Sequence, residues 1–164
     1  MWDMDDSSAP PPSTDDRWRY QVSAHCRAAP STVWPLIAEA ARWKDWSFLT
    51  TTYLLREGAP GPDGVGALRK FGVGPFGSQE EVVVFEPPNH LGYEARKGIP
   101  ARRYRGDIYL RPEGEGTALT WTGLVQPSRP GTGGLVLAYT RTFARLFTKE
   151  LVRYADRLAG APPR

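Results

Sequence analysis

The residues of this chain that could carry out acid–base chemistry are few and lie on predicted strands or turns. Catalysis by proton transfer needs a positioned acid or base whose pKa suits the reaction. Asp107 and Tyr109 could form such a pair if their strand face points inward. If that face points outward, Asp107 is a cross-strand charge partner for the neighbouring arginines. No catalytic residue is assigned, and the remaining candidates are Glu80, Glu81, Glu94 and His90, the last in a turn predicted to be exposed.

A second set of residues, mostly aromatic, could instead line a cavity for an apolar ligand. Every second side chain of a strand lies on the same face, and we expect the more apolar face of each strand to point inward. On the third predicted strand this places Arg69, Phe71 and Val73 inward. Tyrosine hydroxyls in such a wall would orient a flat or elongated apolar molecule. The predicted cavity-lining residues are Trp46, Tyr53, Phe71, Tyr93, Tyr104, Ile108, Trp121, Tyr139 and Phe143.

The same aromatic residues could simply fill a core, and composition alone favours that interpretation. Gly106 and Gly123 favour a cavity slightly, because a glycine within a strand leaves room for a ligand or for a curved sheet. Composition and alternation therefore leave both interpretations open.

Other kinds of site find no support in the composition. Two distant histidines and a single cysteine, Cys26, provide no metal-ligand spacing and exclude an internal disulfide bond. The glycines at positions 58, 61, 64 and 66 lack the strand–loop–helix context of a nucleotide-binding motif. The chain has no zinc-finger spacing and no dense basic run, so no nucleic-acid partner is expected. We therefore predict neither a metal nor a cofactor.

Charge is unevenly distributed along the chain. Residues 1–16 contain five of the 18 acidic residues and no lysine or arginine, which leaves 13 acidic against all 21 basic residues in the rest. The basic body could favour anionic ligands or surfaces, although a solvated basic surface is the simpler explanation. No apolar run approaches the ~20 residues of a membrane span. The N-terminus lacks the basic start and apolar run of a signal peptide, so we expect a cytoplasmic protein without stable membrane insertion.

A strand-rich body and one long helix must position these candidates. Residues 1–16 are acidic and proline-rich and are expected to form a disordered tail, with a single domain over residues 17–160. Short alternating segments separated by glycine and proline predict about seven antiparallel strands, with two short helices after the first strand. Apolar residues at a spacing of three and four then predict a helix over Gly133–Leu158. The order predicts an α+β fold in which the sheet covers the helix.

The large apolar residues of the long helix are expected to form its buried face. Its arginines and lysines repeat every four residues on another face, as expected for an amphipathic surface helix. The residues of the expected buried face are Leu135, Val136, Tyr139, Phe143, Leu146, Phe147, Leu151, Tyr154 and Leu158.

Three short motifs, taken in order, resemble a known family. Residues 29–34 (APSTVW) with 43–46 (WKDW) resemble its helix–turn region, and residues 81–93 (EVVVFEPPNHLGY) its strand–Pro-Pro–turn–strand segment. Residues 116–121 (GTALTW) resemble its late GT-x-L-x-W strand. The family is the START-related SRPBCC superfamily of polyketide cyclases/dehydrases and lipid-transport proteins, and the resemblance covers residues 18–158.

The resemblance implies a helix-grip fold, in which a curved antiparallel sheet wraps around the C-terminal helix and encloses an apolar cavity. It implies binding or transfer of a lipid, a polyketide or another apolar metabolite. One alternative is a polyketide cyclase/dehydrase-type enzyme that uses the same cavity. Another is a protein-interaction module with a filled core and an external apolar patch. The family shares no single catalytic motif, so no catalytic residue carries over.

Overall fold

Strands and helices follow one another in the predicted order. The computed structural model describes residues 18–160, so the predicted tail over residues 1–16 lies outside the described residues. The strands are β1 (Arg19–Cys26), β2 (Thr51–Arg56), β3 (Leu68–Val73), β4 (Phe76–Glu86), β5 (His90–Lys97), β6 (Ala101–Glu113) and β7 (Gly116–Pro127). The helices are α1 (Pro30–Ala38), α2 (Trp43–Trp46), which follows a 3-10 turn over Ala40–Arg42, and α3 (Gly133–Leu158).

All seven of these strands form one antiparallel sheet in the order β1-β7-β6-β5-β4-β3-β2. Register shifts interrupt the pairing of β2 with β3, β4 with β5 and β6 with β7. A bulge bends its strand and increases the local twist, so the sheet curves. The predicted α+β helix-grip architecture is therefore confirmed.

Helix α3 lies against β1 and β7 through small side chains more than through large ones. Small residues allow the helix backbone to approach the sheet closely, whereas the larger side chains of the same helix fall to either side of the contact. The prediction of its buried face is therefore partly wrong: Leu135, Tyr139, Leu146 and Leu158 are exposed, and Phe143, Phe147 and Tyr154 are half-buried. The buried residues of α3 after Gly133 are Val136, Thr140, Ala144, Thr148, Leu151, Ala155 and Asp156.

Helices α1 and α2 close one end of the space between the sheet and α3. Two indole groups hold them together: Nε1 of Trp43 donates to the carbonyl oxygen of Ile37 at 3.0 Å, and Nε1 of Trp46 donates to that of Leu36 at 2.9 Å. Buried N–H groups need such partners, so the two indoles fix the α1–α2 corner. Trp43 is thereby held with its ring against the sheet residue Phe71.

The sheet has a closed end and an open end, which differ in what covers them. At the closed end, Asp156 near the C-terminus of α3 accepts a hydrogen bond from the backbone N–H of Arg27 at 2.7 Å. The antiparallel order places the β3–β4 turn, the β5–β6 turn and the β7–α3 loop together at the opposite end. Helix α3 begins there, so the open end leads into the space beneath the helix.

Candidate ligand cavity

A cavity of about 470 Å³ lies between the inner face of the sheet and helix α3. Its walls come from α2, from strands β3 to β7 and from α3, so the residues far apart in sequence meet only in the fold. The aromatic side chains that line it are Trp43, Phe48, Phe71, Phe76, Tyr93, Tyr104, Trp121, Tyr139, Phe143 and Phe147.

Most of the residues predicted to line a cavity do surround this one. The structure brings together Phe71, Tyr93, Tyr104, Trp121, Tyr139 and Phe143 at its wall. Whether these six residues contact a ligand stays a prediction.

Three predicted residues lie outside the cavity wall, and their placement is corrected here. Ile108 is fully buried beside Trp121 in the β6–β7 register, within the core rather than at the cavity. Trp46 is buried behind Trp43, with 4.7 Å between the ring centroids. Ile108 points inward, as strand alternation predicted, and Trp46 is buried on α2, but other side chains separate both from the cavity.

Tyr53 lies on the wrong face of its strand for a cavity residue. In the β2–β3 register Tyr53 pairs with Lys70, whereas its neighbour Thr52 pairs with the cavity residue Phe71. Cross-strand partners share a face, so Tyr53 points away from the cavity and is 50% exposed. β2 is an edge strand whose two faces are similarly apolar, so alternation alone could not choose between them.

Sequence reasoning left four aromatic residues out of the cavity wall: Trp43, Phe48, Phe76 and Phe147. Phe147 follows Phe143 by four residues on the same helix, and this spacing places both side chains on one face. This four-residue spacing could have identified Phe147 as a cavity residue from the sequence. Trp43 had no comparable signal, because its position depends on the corner between α1 and α2.

Gly106 and Gly123 lie side by side in the β6–β7 register, and two tyrosine rings occupy the space above them. A Cβ atom on Gly106 would lie 2.3 Å from Cζ of Tyr93, and one on Gly123 would lie 2.2 Å from Cε1 of Tyr20. Both glycines do leave room on the inner face, as predicted. The room is filled by the chain's own tyrosines, which lie flat on the sheet.

This arrangement brings three tyrosine hydroxyl groups into one buried network. Tyr20 and Tyr104 share a direct hydrogen bond, and the ring of Tyr104 packs on that of Tyr93 with 6.2 Å between the centroids. The indole Nε1 of Trp121 donates to the Tyr93 hydroxyl oxygen at 3.0 Å. Burial raises the pKa of all three tyrosines well above the ordinary value, so they remain neutral hydroxyl groups at physiological pH.

The inner face also carries an ion pair, formed by Arg69 and Glu80. The Arg69 side chain is completely buried; its Nη2 donates to Oε2 of Glu80 at 3.4 Å and its Nη1 to the Ile37 carbonyl at 3.2 Å. Its guanidinium lies 5.0 Å from the ring centroid of Phe71, and the rings of Tyr93 and Trp43 are 5.4 and 5.7 Å away. These distances suit cation–π attraction, so aromatic rings surround the charge.

Glu80 is the acidic group that lines the cavity wall. Its side chain is 12% exposed, and its second carboxylate oxygen accepts a hydrogen bond from the Ser78 hydroxyl at 3.2 Å. Burial raises the pKa of Glu80, although the charge of Arg69 and the hydrogen bonds from Ser78 and Arg69 act in the opposite direction. A carboxyl group with a raised pKa beside a cavity can donate or accept a proton more readily at neutral pH than a solvated one.

The acid–base pair considered first, Asp107 and Tyr109, points away from the cavity. Asp107 accepts two hydrogen bonds from Arg105, both at 2.8 Å, and faces Nε2 of His90 at 2.9 Å. His90 is half-buried rather than exposed, because it stacks on Tyr109 with 4.2 Å between the ring centroids. Its Nδ1 lies 3.5 Å from Oε2 of Glu86, so each imidazole nitrogen faces a carboxylate oxygen.

The remaining acidic candidates, Glu81 and Glu94, also lie on the outer face. Each forms ion pairs with exposed arginines there, Arg96 bridging both of them. Among residues 18–160, no group of three histidine, cysteine, aspartate or glutamate side chains could hold a metal ion. None of the helices in that range combines the length and the apolarity that a membrane crossing requires.

Comparison with known proteins agrees with this fold. Residues 17–159 match the sequence model of the family described as polyketide cyclase/dehydrase and lipid transport. No curated protein matches the sequence at a significant level.

Three solved structures illustrate the range of similar folds. A START superfamily protein from Mycobacterium smegmatis superposes with a TM-score of 0.70 at 14% identity, over 85% of this chain and 98% of that one. Ara h 8.0201 gives a TM-score of 0.69 at 8% identity, over 84% and 96% of the two chains. DynU16, a protein in the dynemicin biosynthetic locus, gives 0.64 at 22% identity and matches 92% of this chain but 50% of its own length.

Proposed function

Because the chain belongs to the polyketide cyclase/dehydrase and lipid-transport family, we propose that it binds a small, ring-containing hydrophobic molecule in the cavity beneath α3. The supporting observation is a volume of about 470 Å³ bounded largely by aromatic rings. Ligand pockets of about 300–1,000 Å³ with apolar and aromatic walls bury most of a drug-sized molecule. Flat ring systems match aromatic walls better than a flexible chain does, because they stack.

The polar groups of the cavity wall indicate which polar atoms the proposed ligand carries. The hydrogen bond between Tyr20 and Tyr104 uses one of the three tyrosine hydroxyl hydrogens. Tyr93 accepts from Trp121, so the Tyr93 hydroxyl hydrogen is available to a ligand carbonyl oxygen at this wall. Glu80 offers an acceptor to a ligand hydroxyl. The proposed ligand is therefore uncharged at this edge and carries a carbonyl or hydroxyl group.

Arg69 does not offer its charge to an anionic ligand. The guanidinium is completely buried behind Phe71 and Trp43, and it is paired with Glu80. A ligand carboxylate at the inner edge would meet Glu80 without an accessible cation, and two nearby carboxylates repel each other. We therefore expect the cavity to discriminate against carboxylates.

A second candidate function, a polyketide cyclase/dehydrase-type enzyme, is favoured by the position of Glu80. A carboxyl group with a raised pKa lies beside neutral tyrosine hydroxyls at the wall of an apolar cavity. Such a group can accept a proton from a carbon next to a carbonyl while a hydroxyl donates to the carbonyl oxygen. Turnover of a bound ligand that is lost in Glu80→Gln with binding retained would identify an enzyme.

The experiment that tests binding uses two matched probes, 1-naphthol and 1-naphthoate. We expect 1-naphthol to quench the fluorescence of the cavity tryptophans saturably, and 1-naphthoate to bind more weakly. Ala144→Leu, which fills the cavity from α3, should weaken 1-naphthol binding by about tenfold or more, because it adds side-chain volume inside a packed site. Leu146→Ala is the matched control, since Leu146 is exposed on the same helix and lies outside the cavity.

Two results would contradict the proposal. Equal 1-naphthol affinity in the wild type and in Ala144→Leu, with both folded by circular dichroism, would place the probe elsewhere. An absence of binding by either probe, together with no molecule found by native mass spectrometry of protein from its own host, would favour the protein-interaction module.

A further inference from the structure

The open end of the cavity is surrounded by large apolar side chains that water reaches. Phe76 in the β3–β4 hairpin is 81% exposed, and Leu135 in the first turn of α3 is 76% exposed. Phe48, Val73 and Tyr139 beside them are each nearly half exposed. We call these five residues the rim. Large apolar groups clustered at one place on a surface indicate an interaction site.

The segments that form this end are more basic than acidic. Residues 47–55, 70–79, 95–106 and 122–141 contain eight lysines and arginines and no aspartate or glutamate, and Arg96, Arg103 and Arg105 among them pair with carboxylates of the outer sheet face. Lys97 lies at the β5–β6 turn and Arg129 in the β7–α3 loop, both at the open end, and Arg141 follows Tyr139 on α3. Within residues 18–160 these three make no ion pair. The opposite end holds both signs of charge, with Glu57, Asp63, Glu86, Glu113, Glu115 and Asp156 beside Arg27, Arg56, Arg111 and Arg157.

We propose that the rim docks on an anionic membrane surface and that the cavity opens onto it. Basic side chains are attracted to acidic lipid headgroups, at about 1 kcal/mol for each one near the surface. Apolar side chains beside them then enter the boundary between headgroups and acyl chains. The rim supplies both kinds of contact at one end of the molecule. Delivery of the ligand through this end rests on the proposed function; docking itself does not.

Charge also decides between a membrane and a second copy of this chain as the occupant. Two rims placed face to face would bring the basic residues of both copies together, which costs free energy through like-charge repulsion. An anionic surface complements the same residues.

The test is sedimentation of the full chain with vesicles. We expect binding to vesicles of an equal mixture of phosphatidylserine and phosphatidylcholine, weakening as salt is added, and little binding to phosphatidylcholine alone. Lys97→Gln should reduce the partition coefficient about fivefold, the equivalent of about 1 kcal/mol per basic residue at an anionic surface. Leu135→Ser should reduce it by several-fold to about tenfold through lost apolar burial.

Each variant has a matched control at the other end of the molecule. Leu158→Ser removes a leucine that is 50% exposed at the last turn of the same helix, and Arg111→Gln removes an exposed arginine near the closed end. Neither should change vesicle binding. Leu135→Ser should also leave 1-naphthol binding unchanged, because Leu135 lies outside the cavity wall. Failure of docking is therefore distinguishable from failure of the proposed function.

Three outcomes would overturn the proposal. The first is no binding of the full chain to the anionic vesicles. The second is binding that Leu158→Ser and Arg111→Gln reduce as much as Leu135→Ser and Lys97→Gln do. The third is a dimer in solution that Leu135→Ser dissociates while vesicle binding is unchanged, which would make a second copy the occupant of the rim.

Discussion

Two arginine–carboxylate pairs lie on opposite faces of the same sheet, and they differ in the burial of the arginine and in the hydrogen bonds to the carboxylate. The inner pair, Arg69 and Glu80, lies at the cavity wall, with side chains 0% and 12% exposed. The outer pair, Arg105 and Asp107, forms two 2.8 Å hydrogen bonds on the opposite face, with side chains 31% and 12% exposed. The pKa of Glu80 is raised, whereas the pKa of Asp107 is lowered.

The opposite shifts follow from how burial competes with hydrogen bonding in each pair. Burial alone would raise the pKa of either carboxyl group, because it penalises the charged form. For Asp107, hydrogen bonds from Arg105 and His90 and their charges together exceed this effect. For Glu80, one contact of 3.4 Å to Arg69 and one from Ser78 do not. The outer pair lies within β6 and is joined to β5 through His90, and the inner pair is the one suited to chemistry.

The largest expected effect comes from removing the arginine of each pair. Arg69→Met would leave the buried Glu80 carboxylate without a cation, which typically costs about 3–5 kcal/mol of unfolding free energy. Arg105→Met should cost less, about 1–2 kcal/mol, because Arg105 is partly exposed and His90 still pairs with Asp107 after the change. Urea unfolding of both variants at neutral pH measures the two losses.

The double variant Arg69→Met/Glu80→Gln sharpens this test. If the loss comes from an unpaired buried charge, removing that charge should restore about half or more of the stability lost in Arg69→Met, since neutral replacement of a buried pair is often tolerated. A double variant no more stable than Arg69→Met would show that Arg69 acts through its packing on the surrounding rings instead.

The second-largest expected loss of stability comes from replacing glycines. One glycine on each face of the sheet lies beneath a polar side chain. Gly106→Ala would place a Cβ atom 2.3 Å from the ring of Tyr93, which is buried and hydrogen-bonded and has little space to move. We expect a loss of about 2–3 kcal/mol, the upper range for overpacking a core. On the outer face, Gly92→Ala would approach Oδ1 of Asp107 at 2.8 Å and Cβ of Val84 at 3.0 Å. These contacts are longer than the one at Gly106, so the loss should be smaller, about 1–2 kcal/mol.

Thermal or urea unfolding of the two alanine variants tests this difference. Equal losses would show that the tyrosine network is as adaptable as the outer face, and would weaken the assignment of a fixed polar edge to the cavity.

The third effect is a pair of opposite pH dependences. Asp107 has a lowered folded-state pKa, so its contribution to stability is complete above its ordinary value of about 3.9 and is lost as pH falls through the lowered pKa. Glu80 has a raised folded-state pKa, so the folded protein holds the extra proton above the ordinary value of about 4.3. Stability therefore decreases as pH rises from that value through the raised pKa.

Unfolding free energies measured from about pH 3 to pH 7 should separate the two groups by the sign of their pH dependence. As pH falls, the difference in unfolding free energy between the wild type and Asp107→Asn should decrease. The unfolding free energy of the wild type relative to that of Glu80→Gln should increase over the same pH range. Curves of the same sign for both variants would contradict the comparison between the two pairs.

The order of strands and helices could be predicted from the sequence. Which face of each strand or helix points inward could be predicted only in part. Alternation along β6 and β7 separated their two faces correctly, since one face of each is clearly apolar. The edge strand β2 has no such contrast, and Tyr53 was placed on the wrong side. The apolar stripe of α3 was found, but the concave sheet, which the pattern does not encode, selects small residues such as Ala144 for the closest contact.

The inner pair shows a further limit of sequence patterns. Arg69 was predicted to point inward, yet nothing local marks its partner, because Glu80 and Glu81 are adjacent and only the β3–β4 register decides which one faces Arg69. The tyrosine network depends on contacts between Tyr20, Tyr93 and Tyr104, which lie on three different strands. Such meetings depend on register and curvature across the whole sheet, which short-range periodicity does not determine.

The smallest expected effect tests the two faces through the ligand rather than through stability. If Glu80 is the group that disfavours anionic ligands, Glu80→Gln should strengthen 1-naphthoate binding about fivefold, about 1 kcal/mol of relieved repulsion across a partly screened site, with little change for 1-naphthol. Asp107→Asn removes the same charge from the opposite face of the sheet and should leave both probes unchanged. Fluorescence titration of the two variants decides between the faces. If Asp107→Asn improved 1-naphthoate binding as much as Glu80→Gln did, the gain would come from the overall charge of the protein. The inner pair would then have no special role in selecting the ligand.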